Sequence, residues 1–212
     1  MTDLITASPR VAGPITIASV VEGDGEVSAL PVLLRRIAHA FSIWDVRTPP
    51  PRRIPRSRLV APGGVEAAVL QASYQVTGAG GVLLLIDSDD DCPAALGPAL
   101  LKRVRQARRD REISVVLAHR EFEAWFLAAA ESLSGCRGLA VPLAPPANPE
   151  GIRDAKGWLS VRQDLGKTDG TRYKETVDQA ALAALFDMEQ ARKAAPSFDK
   201  FWREVKRLLS TE

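Results

Sequence analysis

No apolar stretch in this chain approaches the ~20 residues that a membrane-spanning helix needs, so the sequence predicts no membrane association. Met1 to Gly13 lacks a basic start followed by a hydrophobic segment, which speaks against a secretory signal. Cysteine is scarce: Cys92 and Cys136 stand alone, their spacing fits no metal motif, and two free thiols in a reducing cytoplasm is the plain reading. An excess of one charge is also missing. Lys and Arg number 28 against 26 Asp and Glu, and a net charge of +2 does not by itself mark a nucleic-acid binder. The 212 residues suffice for one core, or a core with an appendage, and 46% apolar with 25% charged residues is ordinary for a soluble globular protein.

The chain does have two short acidic clusters, each directly after an apolar run. Glu22-Gly23-Asp24-Gly25-Glu26 follows Ile15–Val21, and Asp87-Ser88-Asp89-Asp90-Asp91 follows Val82–Ile86. Apolar runs of that length, rich in Val and Ile, predict buried strands. Carboxylates at the C-terminal ends of such strands reach the crevice where open α/β sheets bind ligands. Gathered there, they repel one another unless a cation sits between them, and hard oxygen ligands of this kind suit Mg²⁺ or Mn²⁺. Asp87 and Asp89 are two apart, so an extended segment turns both to one side, and Asp91 continues that alternation. Glu26 follows Glu22 by four and can turn back from the first helical turn. The competing readings are a turn carboxylate for Glu22 and helix N-terminal acids for Asp87–Asp91, Glu121 and Glu123.

Along the chain, strands alternate with helices. Residues 14–21 predict a first strand, and Ser28 to Phe41 a helix with Ser28 as N-cap and Pro31 in its first turn. Ser42 to Val46 predicts a weak second strand. Thr48 to Pro62, with five prolines and four arginines, predicts a loop or extended arm. A helix over Val65–Val76, the strand Val82–Ile86, a helix to about Arg109, a strand over Ile113–Leu117 and a helix from Arg120 complete the alternation. This order predicts α/β class, a mainly parallel sheet flanked by helices. After Leu133 the pattern changes: 134–151 reads as a linker. Thr176-Val177-Asp178-Gln179 reads as a capping box opening a helix to about Lys193, and Pro196 opens a last helix with an aromatic stripe. Two regions follow, an α/β domain over 1–133 and a helical extension over 134–212 packed on it.

Basic residues concentrate in two places, Arg47–Arg58 and Lys102–Arg111. Arg52, Arg53, Arg56, Arg58, Lys102 and Arg105 are the candidates for holding a nucleic-acid backbone, with a solvated helix face and a charged loop as the alternative. His39 and His119 read as structural.

The ordered set Val21-Glu22-Gly23 with Glu26, Asp87-Ser88-Asp89, Glu121-x-Glu123-Ala124-Trp125, Tyr173-Lys174 and Pro196-Ser197-Phe198 resembles the bacterial family called domain of unknown function 4276. Its acidic motifs and β/α alternation also resemble the Toprim domain of topoisomerases, primases and the nucleases of the overcoming-lysogenisation-defect group. That resemblance implies a Toprim-like sheet, a Mg²⁺ or Mn²⁺ site, and a nuclease or related phosphoryl-transfer hydrolase. Glu22, Asp87 and Asp89 carry over as catalytic and metal-binding, with Asp91, Glu26 and Glu123 as further metal ligands and Lys174 as a phosphate contact. It further implies nucleic acid as substrate, an ATPase encoded nearby and a role in phage defence. Neither Tyr74 nor Tyr173 is placed for the covalent attachment of a topoisomerase, and no primase zinc module is present. The alternatives are a non-catalytic Toprim-like subunit of an ATPase and a purely structural protein; clustered unpaired aspartates speak against the latter.

Overall fold

The computed structural model describes residues 13–166 and 172–210; side chains of 164–166 are outside that description, as is the segment 1–12 read for a signal. Strand β1 (Ile15–Val21) lies at the centre of the sheet. Its neighbours are β4 (Gly80–Asp87) on one side and, on the other, two short strands, β2 (Val46–Arg47) and β3 (Arg52–Arg53). Strand β5 (Glu112–Ala118) completes the order β2-β1-β4-β5, with β3 also on β1, and every described pairing is parallel. The chain thus leaves β1 to one side and later returns to the other. The crevice beyond the C-terminal ends of β1 and β4 is the switch point at which open α/β sheets take ligands.

The long strands are buried on both faces, which is why they read as continuous apolar runs. Ile17, Val21, Leu83, Leu85 and Val116 face one cluster with α1 (Asp24–Ala40), α5 (Ala124–Ala128), α7 (Ala180–Leu185), α8 (Met188–Ala194) and α9 (Pro196–Leu209). Ala18, Val20, Val82, Leu84, Ile86 and Val115 face the other, with α2 (Arg56–Val60), α3 (Gly64–Ser73) and α4 (Pro93–Ala107). Helix α6 (Ala155–Gly166) and a π-helical turn, Glu175–Gln179, precede α7. The aromatic stripe of α9 is core: Phe198 and Phe201 pack on Trp125 at centroid distances of 5.1 and 5.0 Å.

Several elements differ from the sequence expectation. Helix α1 begins at Asp24, a turn before Ser28, because Gly23 takes the cap position and donates its N–H to Glu26 Oε2 at 2.6 Å; Pro31 consequently lies inside the helix. The Thr48–Pro62 arm is fastened to the sheet edge through β3 and α2. The helix expected from Arg120 starts at Ala124. Thr176 does not cap: the Lys174 N–H donates to Asp178 Oδ2 at 3.0 Å. The helix expected to reach Lys193 breaks at Phe186, where Arg36 bonds the carbonyls of Ala183 (2.7 Å) and Phe186 (2.9 Å) and Asp187 caps α8. The 134–151 stretch buries Leu139, Leu143 and Glu150.

Candidate functional site

Glu22 directly follows β1 and Asp87 ends β4, so the two strands deliver both carboxylates to the switch point. Asp87 is 6% exposed and accepts the Phe122 N–H on Oδ1 at 2.8 Å. Burial and then the nearby Glu26, Glu123 and Glu22 push its carboxyl well above the ordinary range. Burial, with Glu26 and Asp89, pushes Glu22 up to about 7, against a hydrogen bond from the Asp87 backbone and the charge of Arg56. Glu26 is likewise raised by burial. Glu123, fully buried, is pushed up to about 7 by burial, although Lys156 and a hydrogen bond from Tyr173 oppose it. Asp87 therefore lies within electrostatic reach of Glu22, Glu26 and Glu123, and Glu26 acts on both Glu22 and Glu123.

Sequence reasoning noted Tyr173 and Gln179 in other roles and missed that they, with Lys156, hold this cluster. Tyr173 Oη donates to Glu123 Oε1 at 2.9 Å and Gln179 Nε2 donates to the same oxygen at 3.1 Å. Lys156, on α6, pairs with Glu175 at 2.9 Å. Burial alone would lower its ammonium, yet Glu123, Glu175 and Asp87 outweigh that and raise it. These residues come from beyond the expected linker, and no local spacing announces them. Gly25 is the one indirect signal: a Cβ there would stand 2.1 Å from Gln179 Oε1, so the second glycine of Glu22–Glu26 lets the C-terminal region close on α1.

The remaining acids lie outside. Asp89 has φ 50° and is exposed, so the strand alternation stops at Asp87 and does not carry Asp89 and Asp91 to the same side. Asp89 lies 3.4 Å from Arg56 Nε, Asp91 also pairs with Arg56, and Asp90 pairs with Arg120 and Arg153. Of the basic candidates, Arg53 pairs with Asp24 at 2.9 Å and Arg52 bonds Gln71 at 2.6 Å, while Arg58 is exposed on α2. Lys102 and Arg105 lie on the outer face of α4, and Lys174 is exposed beside the π-helical turn.

The chain matches the family described as a domain of unknown function, DUF4276, over residues 21–206. It belongs to that family. The DUF4276 match spans both acidic clusters, Lys156 and most of α9. No curated protein and no solved structure matches the chain.

Whether a cation suits the DUF4276 crevice can be judged from its donors. Among the described residues, no group of three or more His, Cys, Asp or Glu side chains is already gathered to hold an ion. Glu22 Oε2 and Glu123 Oε2, however, are buried without a hydrogen-bond partner among those residues. Carboxylate oxygens that are buried and unpaired, each near the charge of Glu26, are of the donor type that suits a hard divalent cation, once the ion draws them together. Among the described residues, no helix is long and apolar enough to cross a membrane.

Proposed function

We propose that the crevice between β1 and β4 is a divalent-cation-dependent phosphoryl-transfer site and that the protein is a nuclease. The observation that carries this reading is the convergence of Glu22, Glu26, Asp87 and Glu123 at the switch point, with their carboxyls pushed upward and two oxygens unpaired. Glu22 and Asp87 would hold Mg²⁺ or Mn²⁺, with Glu26 and Glu123 in reserve. A bound ion supplies charge neutralisation at phosphate oxygens and acidifies water. Where it does not ligate the ion, Glu22, raised to about 7, would give or take a proton at neutral pH. Lys156 and Arg56 bring positive charge to the same place. The resemblance to Toprim nucleases supports nucleic acid as the substrate, a neighbouring ATPase as partner and phage defence as the setting. The free thiols of Cys92 and Cys136 suit a reducing cytoplasm.

Lys156 also favours a second reading. It neutralises part of the cluster from within, as a non-catalytic subunit of an ATPase would need. The deciding experiment assays cleavage of single- and double-stranded DNA and RNA in Mg²⁺, Mn²⁺ and EDTA, alone and with the ATPase encoded nearby. Cleavage that needs the cation and is abolished in Glu22→Gln and Asp87→Asn is the expected result. No cleavage under any condition, with no binding of either ion by calorimetry, gives the subunit reading.

A further inference from the structure

Three guanidinium groups from three separate elements meet on the loop that follows β4. Arg56, in the first turn of α2, donates to the carbonyls of Asp87 (3.2 Å) and Ser88 (3.4 Å) and pairs with Asp89 and Asp91. Arg120, just after β5, places Nη1 3.2 Å from Asp90 Oδ1. Arg153, ahead of α6, places Nη1 2.5 Å from that same oxygen. Asp89, Asp90, Arg120, Glu121 and Arg153 line a hollow of about 130 Å³.

The backbone there is fixed at a cost. Asp89 and Arg120 have φ of 50° and 64°, the left-handed region that L-residues rarely enter. The two loops are tied together: the Asp89 N–H donates to the Arg120 carbonyl at 3.1 Å, and the Arg120 N–H donates to Ser88 Oγ at 2.8 Å. Arg120 Nε is buried with no hydrogen-bond partner among the described residues. Exposed ion pairs add little to stability, so stability alone does not account for this arrangement. A guanidinium matches phosphate oxygens, and Arg120 and Arg153 each give one Nη1–H to the same Asp90 oxygen, as two arginines can to a single phosphate oxygen.

We propose that Arg120 and Arg153 form a phosphate-binding site beside the acidic crevice, and that Asp90 is the internal anion that fills it until a phosphate group arrives. The proposal rests on the crevice being a phosphoryl-transfer site and names the residues that hold the substrate's phosphate there. Asp90 then competes with ligand, so removing its charge improves binding.

The test measures anisotropy of a labelled single-stranded oligonucleotide and, separately, calorimetric binding of inorganic pyrophosphate, both in EDTA, so that neither cation nor cleavage enters. Asp90→Asn should tighten binding about threefold or more. Arg120→Gln with Arg153→Gln should weaken it about tenfold or more and flatten its salt dependence. If the double variant does not fold, Arg153→Gln alone, at a side chain 70% exposed, carries the test. Pyrophosphate that binds with this variant pattern while the oligonucleotide does not would assign the site to free phosphate esters. Equal affinities in all variants, or weaker binding in Asp90→Asn, would overturn the proposal and leave the cation reading standing. Loss of cation binding and cleavage, with these affinity changes intact, would sink the cation reading alone.

Discussion

Glu123 and Asp90 are both acids at the C-terminal edge of the sheet, yet they are held by opposite means. Glu123 is fully buried, accepts two hydrogen bonds on one oxygen, and is pushed up to about 7 mainly by burial. Asp90 has a side chain 73% exposed and meets two guanidiniums in solvent. The inner set (Glu22, Glu26, Asp87, Glu123) stores unfavourable electrostatics that a cation or a proton relieves. The outer set (Asp89, Asp90, Asp91) is already neutralised by Arg56, Arg120 and Arg153. Burial, more than residue type, separates the acids whose carboxyls are pushed upward from those paired with arginines in solvent.

The comparison is broken most directly at Glu123. Glu123→Ala leaves Tyr173 Oη and Gln179 Nε2 without their acceptor in a buried site, at about 1–3 kcal/mol for each donor. The melting temperature should fall steeply, whereas Glu123→Gln, which keeps an oxygen for both donors, should lose much less. If the alanine variant melted with wild type, the inner set would not be structurally committed.

Asp87 separates charge from hydrogen bonding. Asp87→Ala orphans the buried Phe122 N–H and should cost about 1–3 kcal/mol. Asp87→Asn keeps that acceptor and removes a carboxyl that burial and three neighbouring acids already disfavour, so it should be neutral or stabilising without cation. Asparagine is therefore the variant that tests activity without disturbing the fold. A large loss in Asp87→Asn would show that the charge itself holds the site together.

The strands that carry Glu22 and Asp87 were legible because β1 and β4 are buried on both faces and leave unbroken apolar runs. The position of Asp89 was not legible, since strand alternation has meaning only while the strand lasts, and Asp89 turns left-handed two residues past its expected phase. Lys156, Tyr173 and Gln179 reach the crevice through tertiary packing of the C-terminal helices, which no local period encodes. The Pro196-Ser197-Phe198 motif has a structural basis: Ser197 Oγ accepts from Trp125 Nε1 at 2.8 Å and from the His119 N–H at 3.2 Å, tying α9 to the end of β5. Thr176-x-x-Gln179 misled because Gln179 is spent on Glu123 and Asp178 takes over the cap.

A smaller effect, spread over pH, sharpens the contrast. Glu22 and Glu123 rise from an ordinary 4.5 to about 7 in the folded protein, so the fold binds protons that the unfolded chain has released. Their contribution is present in full below about 4.5 and is lost as pH rises through about 7. In EDTA, melting temperature should therefore decline between pH 5 and pH 8. A cation favours the ionised carboxylates, so Mg²⁺ or Mn²⁺ should restore stability most at pH 8. A melting temperature that stays flat across this range, with no response to cation, would remove the stored repulsion on which the inner site depends.

The least effect on stability belongs to Asp90. Two arginines meet its carboxylate, and a tally of contacts would rank it among the most important acids of the loop. Solvent argues otherwise: an exposed pair gains little Coulomb energy, immobilises long side chains and is screened by salt, for about 0–1 kcal/mol in all. Asp90→Asn should consequently melt close to wild type, and the small difference should vanish in high salt. Calorimetric melts of Asp90→Asn and Asp87→Ala at low and high ionic strength make the comparison in one experiment. Equal losses in the two, persisting in salt, would mean that the outer carboxylates are as structural as the inner ones, and the division between the two sets would fall.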